Sequence, residues 1–220
     1  MSGSAAYALF QILALGTAFA LHRPSLLPPR QRAAVIAGAL LGAAIGAKLP
    51  FVMFAGESPF TLDLWIRDGK TILSGLTGGY LGVEAAKFLA GIRVKTGDGF
   101  AVPLAAAVSV GRLGCYFNGC CTAPGIPVPL WESGFHAAAA FVLWRLERAG
   151  RCRWQLLKLY LIGYSAFRFI IEFVRTEPRI WAGLTAYQFG AAALAILMAA
   201  LWMKDERLKR RLPAEDAARA

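Results

Sequence analysis

Val110-Gly-Arg-Leu-Gly-Cys-Tyr-Phe-Asn-Gly-Cys-Cys-Thr-Ala-Pro-Gly125 closes an apolar run and carries one arginine, one asparagine, three cysteines and four glycines. An arginine inside such a run is costly in hydrocarbon and calls for an anionic partner. The glycines let backbones and ligand head groups approach closely. A second polar line, Tyr164, Arg168, Glu172 and Arg175, repeats at helical spacing within another apolar run. The two lines read as facing each other across one buried site.

Working outward, the 220 residues are 57% hydrophobic with a formal net charge of +11. That length suits one or two soluble domains, but the apolar residues gather into separate runs near membrane-spanning length, each flanked by charge. The basic residues cluster at the ends of these runs, where they report orientation and contact with anionic lipid. No nucleic-acid partner is expected. The first run has no basic region before it and no clear small-residue cleavage site after it, so it reads as a span rather than a leader.

Seven spans are expected at about 5–21, 33–54, 71–90, 100–118, 132–146, 156–174 and 182–203, on the length that a bilayer requires. The fold class is therefore all-α, a polytopic integral membrane protein over 1–203 with a basic tail at 204–220. The third and fourth spans are rich in Gly and Ala, which permits close helix packing in lipid. Fifteen basic residues fall on one side: Arg23, Arg30, Arg32, Arg93, Lys95, Arg145, Arg148, Arg151, Arg153, Lys158, Lys204, Arg207, Lys209, Arg210 and Arg211. Four fall on the other: Arg67, Lys70, Arg175 and Arg179. The positive-inside rule then puts the N-terminus outside and the C-terminus in the cytoplasm, as an odd number of spans demands. The Cys115–Pro129 loop faces outward.

Arg168 and Glu172, four apart, share a helix face and suit an ion pair. The alternative is a phosphate clamp with an acid/base carboxylate. Two or three arginines against one glutamate leave positive charge over, and a phosphate would supply the anion bidentately. Glu84 and Lys87 read as a local pair, and Lys48 as a snorkelling side chain. Glu132 reads equally as a substrate contact or a surface cap, and His136 as a helix–helix hydrogen bond. Tyr7 either reaches the site or belongs to an interfacial aromatic belt. Cys115, Cys120 and Cys121 allow a disulfide outside the cytoplasm or a reactive thiol beside Arg112. A zinc site wants four ligands and neither His22 nor His136 is on this loop, so no metal or other cofactor is expected.

At these residues the sequence resembles the prolipoprotein diacylglyceryl transferase family. That family's signature, Gly-Arg-x-Gly-Asn-Phe-x-Asn-Gly-Glu, is similar to Gly111-Arg112-Leu113-Gly114-Cys115-Tyr116-Phe117-Asn118-Gly119-Cys120. The stretch Leu161-Ile-Gly-Tyr-Ser-Ala-Phe-Arg-Phe-Ile-Ile-Glu-Phe-Val-Arg175 resembles its penultimate span, Gln188 the start of its last, and Gly78-Gly-Tyr-Leu-Gly82 its Gly-Gly-x-x-Gly. The resemblance implies a seven-span enzyme of the bacterial inner membrane. It would move the diacylglyceryl group of phosphatidylglycerol onto a preprolipoprotein cysteine, or a smaller thiol acceptor, and release glycerol phosphate. Arg112 and Arg168 would bind the lipid phosphate and Asn118 the head group. Tyr164 and Glu172 would hold the arginines, and Tyr7 would line the pocket. Gly114, Thr77, Arg175 and Cys115 complete the expected binding set.

The chain departs from the family at three residues and in one segment. The family histidine before Gly-Gly is Thr77, the signature asparagine is Cys115, and its glutamate is Cys120. The outer head segment shrinks to Thr122–Leu130. Threonine is no general base at neutral pH, so a loop cysteine, Cys120, is expected to take the place of the missing base or to form a covalent intermediate. The alternative is a non-catalytic or redox membrane protein on the same scaffold, with Cys115, Cys120 and Cys121 as an outward thiol switch or metal site.

Overall fold

The computed structural model describes residues 3–22, 27–54, 60–66 and 69–211. Arg23 and Arg67, counted above, lie outside the described residues, as does the tail from 212 onward. The helices are α1 (Gly3–Leu21), α2 (Pro29–Phe54), α3 (Leu62–Ile66), α4 (Ile72–Leu89), α5 (Asp98–Phe117), α6 (Val128–Arg148), α7 (Leu156–Ile171) and α8 (Ala186–Lys209). A 3₁₀ turn, Glu172–Val174, follows α7, and a two-stranded antiparallel hairpin pairs β1 (Arg179–Trp181) with β2 (Leu184–Thr185). The protein is thus mostly helical. Among the described residues four helices, α1, α2, α5 and α8, are long and apolar enough to cross a membrane.

Each of the seven expected runs contains one long helix, with shifted bounds. The fifth run is not short, because α6 starts at Val128 with Pro129 in its first turn, where proline's missing N–H costs nothing. Residues 182–185 are hairpin rather than helix. At the other end α8 continues through Lys209, so the expected tail begins as helix.

The chain divides into two compact units, Ser25–Val94 and the combination of Met1–Pro24 with Lys95–Ala220. In the first, α2 and α4 meet through glycine. A Cβ on Gly42 would collide with the carbonyl oxygen of Gly78, and one on Gly82 with that of Gly38. This close approach is how helices gain dispersion energy in lipid, where no hydrophobic drive joins them.

In the second unit α1 lies on α5, and α5 to α8 carry the buried polar groups. Outward faces are apolar: Leu15, Phe19, Phe141, Ile170 and Ile196 are all exposed. Such a surface matches lipid better than water. At one end, Asp98 of α5 accepts from the N–H groups of Trp154 (2.5 Å) and Leu156 (2.9 Å), placing an anion at the start of α7. There too Lys158 is bonded to Asp205 of α8 at 2.8 Å. At the other end α5 stops at Asn118, whose N–H donates to Gly114 O at 3.0 Å, and Gly119 turns the chain at φ +69°. Beside it Thr185 and Gln188 close a capping box at the start of α8. The candidate site lies between these termini.

Candidate active site

Arg112 of α5 and Arg168 of α7 converge on one carboxylate. Arg112 Nη2 is paired with Glu132 Oε2, and Arg168 Nη1 lies 3.2 Å from Glu132 Oε1. Glu132 is 1% exposed, in the second turn of α6. Arg168 Nη2 also reaches Glu172 Oε2 at 3.0 Å, the expected i,i+4 pair. Arg175 Nε sits 3.6 Å from the same oxygen, and its Nη2 is 2.9 Å from Glu177. Thr185 Oγ1 donates to Glu172 Oε1 at 3.2 Å, so the hairpin's last residue fixes the carboxylate that orients Arg168.

This corrects the expected charge balance. Glu132 is not a surface cap but the buried bridge between the two arginines. Three guanidinium groups meet two buried carboxylates, with Glu177 at the rim, so little positive charge is left over among the described residues. The signal that could have found Glu132 is the balance itself: a second carboxylate was needed at membrane depth, and α6 offers no other in its outer turns. The donors are still not exhausted. Guanidinium has five N–H groups, and Arg112 Nε is buried with no hydrogen-bond partner.

Behind the arginines lies an aromatic floor. Tyr164 is buried, its ring 4.7 Å from that of His136, and His136 Nδ1 is 2.9 Å from the Tyr160 hydroxyl. His136 thus makes the helix–helix hydrogen bond expected of it, while its Nε2 is buried without a partner. Gly114 serves packing: a Cβ there would lie 2.8 Å from Phe10 Cβ and 3.3 Å from Tyr7 O. Tyr7 is half-buried on α1 against this part of α5. Thr77 belongs to the α2–α4 unit, and its hydroxyl donates to Leu73 O of its own helix at 2.9 Å. Glu84 and Lys87 form the local pair at 3.0 Å.

The three cysteines sit at the mouth. Cys115 is buried, Cys120 half-buried and Cys121 exposed, and all are free thiols. Their sulfurs lie within 4.8 Å of one another. Arg112 Nη1 is 3.5 Å from Cys115 Sγ. Arg175 Nη1 donates to Cys121 O at 3.1 Å, tying the loop to the arginine cluster. Cys121 holds φ +64°, a left-handed conformation uncommon outside glycine. A hydrogen bond from the Cys115 thiol and the charge of Arg112 push the Cys121 thiol down to about 5. Burial and the neighbouring Cys121 push Cys120 up. Of these two thiols, Cys121 is the readier to ionise. Asn118, exposed at the end of α5, hydrogen-bonds Cys120 through its side chain.

The prolipoprotein diacylglyceryl transferase family model matches residues 4–204. A phosphatidylglycerol–prolipoprotein diacylglyceryl transferase of Methylobacillus flagellatus is 29% identical over 202 residues, 77% of this chain and 75% of that protein. Proteins of the same name from Chlorobaculum tepidum and from Leifsonia xyli subsp. xyli are 29% and 30% identical, over 74% and 61% of this chain and 68% and 51% of their own lengths. No solved structure matches the chain. With nearly its whole length under one family model, this chain belongs to the prolipoprotein diacylglyceryl transferases.

Proposed function

We propose that the protein transfers the diacylglyceryl group of phosphatidylglycerol to the cysteine thiol of a prolipoprotein. It does so at the outer leaflet of a bacterial inner membrane. All seven long helices span the bilayer, the N-terminus is outside and the C-terminus is cytoplasmic, in keeping with fifteen basic residues against four. The observation that carries the reading is the convergence of Arg112 and Arg168 on Glu132, with Arg112 Nε unspent. The lipid phosphate takes up those free donors and exchanges with Glu132 for the rest. An apolar groove of about 290 Å³ between α7 and α8, lined by Ser165, Phe169, Ala191 and Ala195, starts three residues before Arg168 and suits an acyl chain.

In the reaction the acceptor sulfur bonds to the glyceryl carbon. The carbon–oxygen bond to phosphate breaks, and its electron pair leaves on glycerol phosphate. Arg112 and Arg168 face the oxygens on which that charge builds. Fixed donors so placed are worth about 3–4 kcal/mol each in a dry site. Glu172 and Thr185 keep Arg168 aligned, and Arg175 holds the mouth closed over the head group. The competing reading of the scaffold as non-catalytic draws no support from the relatives named above, which carry a transferase name.

The test is to give purified protein labelled phosphatidylglycerol and a lipobox peptide. Label should pass to the peptide cysteine, and Arg112→Ala or Arg168→Ala should lower the rate by about 10²–10³. Transfer that survives both substitutions, or that never occurs across a broad pH range, would remove the basis for the reading.

A further inference from the structure

The proposed reaction needs a thiolate. The two buried carboxylates of the arginine site, Glu132 and Glu172, are occupied by arginines. The groups not absorbed by the arginine site are the sulfurs at its mouth.

Cys120 Sγ and Cys121 Sγ are 3.7 Å apart, and Cys115 Sγ is within 4.8 Å of both. Three thiolates at about 2.3 Å from a tetrahedral cation lie about 3.8 Å from one another. The sulfurs are thus nearly in place. The loop is built for this: Cys120 N–H donates to Cys115 O at 3.1 Å, and the left-handed turns at Gly119 and Cys121 fold the adjacent cysteines back over the end of α5. Burial falls from Cys115 through Cys120 to Cys121, which leaves the fourth position open on the exposed side. A divalent cation on three thiolates carries one net negative charge, and Arg112 Nη1 lies beside it, 3.5 Å from Cys115 Sγ.

We propose that Cys115, Cys120 and Cys121 hold one thiophilic d10 cation, Zn²⁺, and that the acceptor thiol binds as its fourth ligand. Sites with three protein ligands and one open position are catalytic rather than structural, and a coordinated thiol is deprotonated outright. The acceptor S–H gives its proton to solvent on binding. Its sulfur then attacks the glyceryl carbon, the carbon–oxygen bond breaks, and the electron pair departs on the phosphate held by Arg112 and Arg168. The product thioether is uncharged, a weaker ligand, and leaves. The loop that is tied to Arg175 thereby brings acceptor and donor together. The inference rests on the transferase reading for its acceptor, but the cation site stands on sulfur geometry alone.

The test uses full-length protein in detergent with thiols reduced, stripped by chelator and titrated with Co²⁺ as a spectroscopic stand-in for Zn²⁺. One equivalent should give thiolate-to-cobalt charge-transfer absorption. Cys115→Ser and Cys120→Ser should weaken binding by at least about tenfold, the least that even outer partners of metal ligands contribute. Cys152→Ser should bind as the unaltered protein does. Adding a lipobox peptide should shift the absorption, while the same peptide with serine for its cysteine should not. In the transfer assay the stripped protein should be inactive and regain activity with Zn²⁺. Absence of the charge-transfer band overturns the site, and equal transfer with and without Zn²⁺ overturns its role. A normal cobalt spectrum and peptide shift with no transfer under any condition would sink the transferase reading while leaving the cation site intact.

Discussion

Glu132 holds Arg112 and Arg168 at once, so its loss strands two buried guanidinium groups. Breaking a buried ion pair from one side costs about 3–5 kcal/mol. Glu132→Ala should therefore lower the thermal midpoint in detergent far more than Glu177→Ala, which removes a carboxylate at the rim. Thermal melts of the two variants check this, and equal midpoints would contradict the bridge. Arg168→Lys should behave nearly as Arg168→Ala in transfer, because an ammonium cannot span Glu132 and Glu172 together. Cys121 provides a pH test. Its thiol sits near 5 when folded against an ordinary value of 9.0, so the folded state favours the thiolate. That contribution to stability is complete above about pH 9 and is lost as pH falls through 5. Alkylation of Cys121 in chelated protein should accordingly be half-maximal near pH 5, and near 9 after unfolding. A single midpoint near 9 in both states would show that Arg112 and Cys115 do not act on it.

At the scale of elements, the site depends on where helices stop. Thr185 ends the hairpin, caps α8 and donates to Glu172. Losing an N-cap hydroxyl costs about 1 kcal/mol in stability. The lost bond to Glu172 should add a fall in transfer rate, since Arg168 loses its orientation; rate and melting of Thr185→Val, measured together, separate the two. Close packing makes a second prediction. Gly42→Ala drives a methyl into the Gly78 backbone, whereas a Cβ on Gly16 meets nothing within 4 Å. Overpacking costs about 1–3 kcal/mol, so Gly42→Ala should destabilise clearly and Gly16→Ala hardly at all. Apolar runs located the long helices well. They missed the hairpin at 179–185 and the early start of α6, because those boundaries are set by capping and strand pairing rather than by hydropathy.

Across the whole molecule, the proposed topology puts the cysteine loop and the tail on opposite sides of the membrane. A membrane-impermeant maleimide applied to intact spheroplasts should label Cys121 when it is the sole cysteine. It should label an Arg211→Cys variant lacking the native cysteines only after lysis. Labelling of both before lysis would overturn the orientation. Net charge contributes here through its distribution: the same +11 spread evenly would carry no orientation signal.

Composition and spacing alone pointed to a helical membrane protein, set Arg112, Arg168 and Glu172 apart as candidates, and offered an Arg168–Glu172 ion pair beside a phosphate clamp. These follow from local rules: bilayer length, the cost of charge in hydrocarbon, and the i,i+4 helix face. What only the tertiary structure decided is which partners lie across helices. Glu132 is 20 residues from Arg112 and 36 from Arg168, and Thr185 is 13 from Glu172. No periodicity relates such positions; they meet because helices ending at the same level bring their terminal side chains into one small volume. The three sulfurs tell the same story in miniature, since the cysteines of C-x4-C-C came within 4.8 Å of one another only when the turn after α5 folded the last two back upon the first.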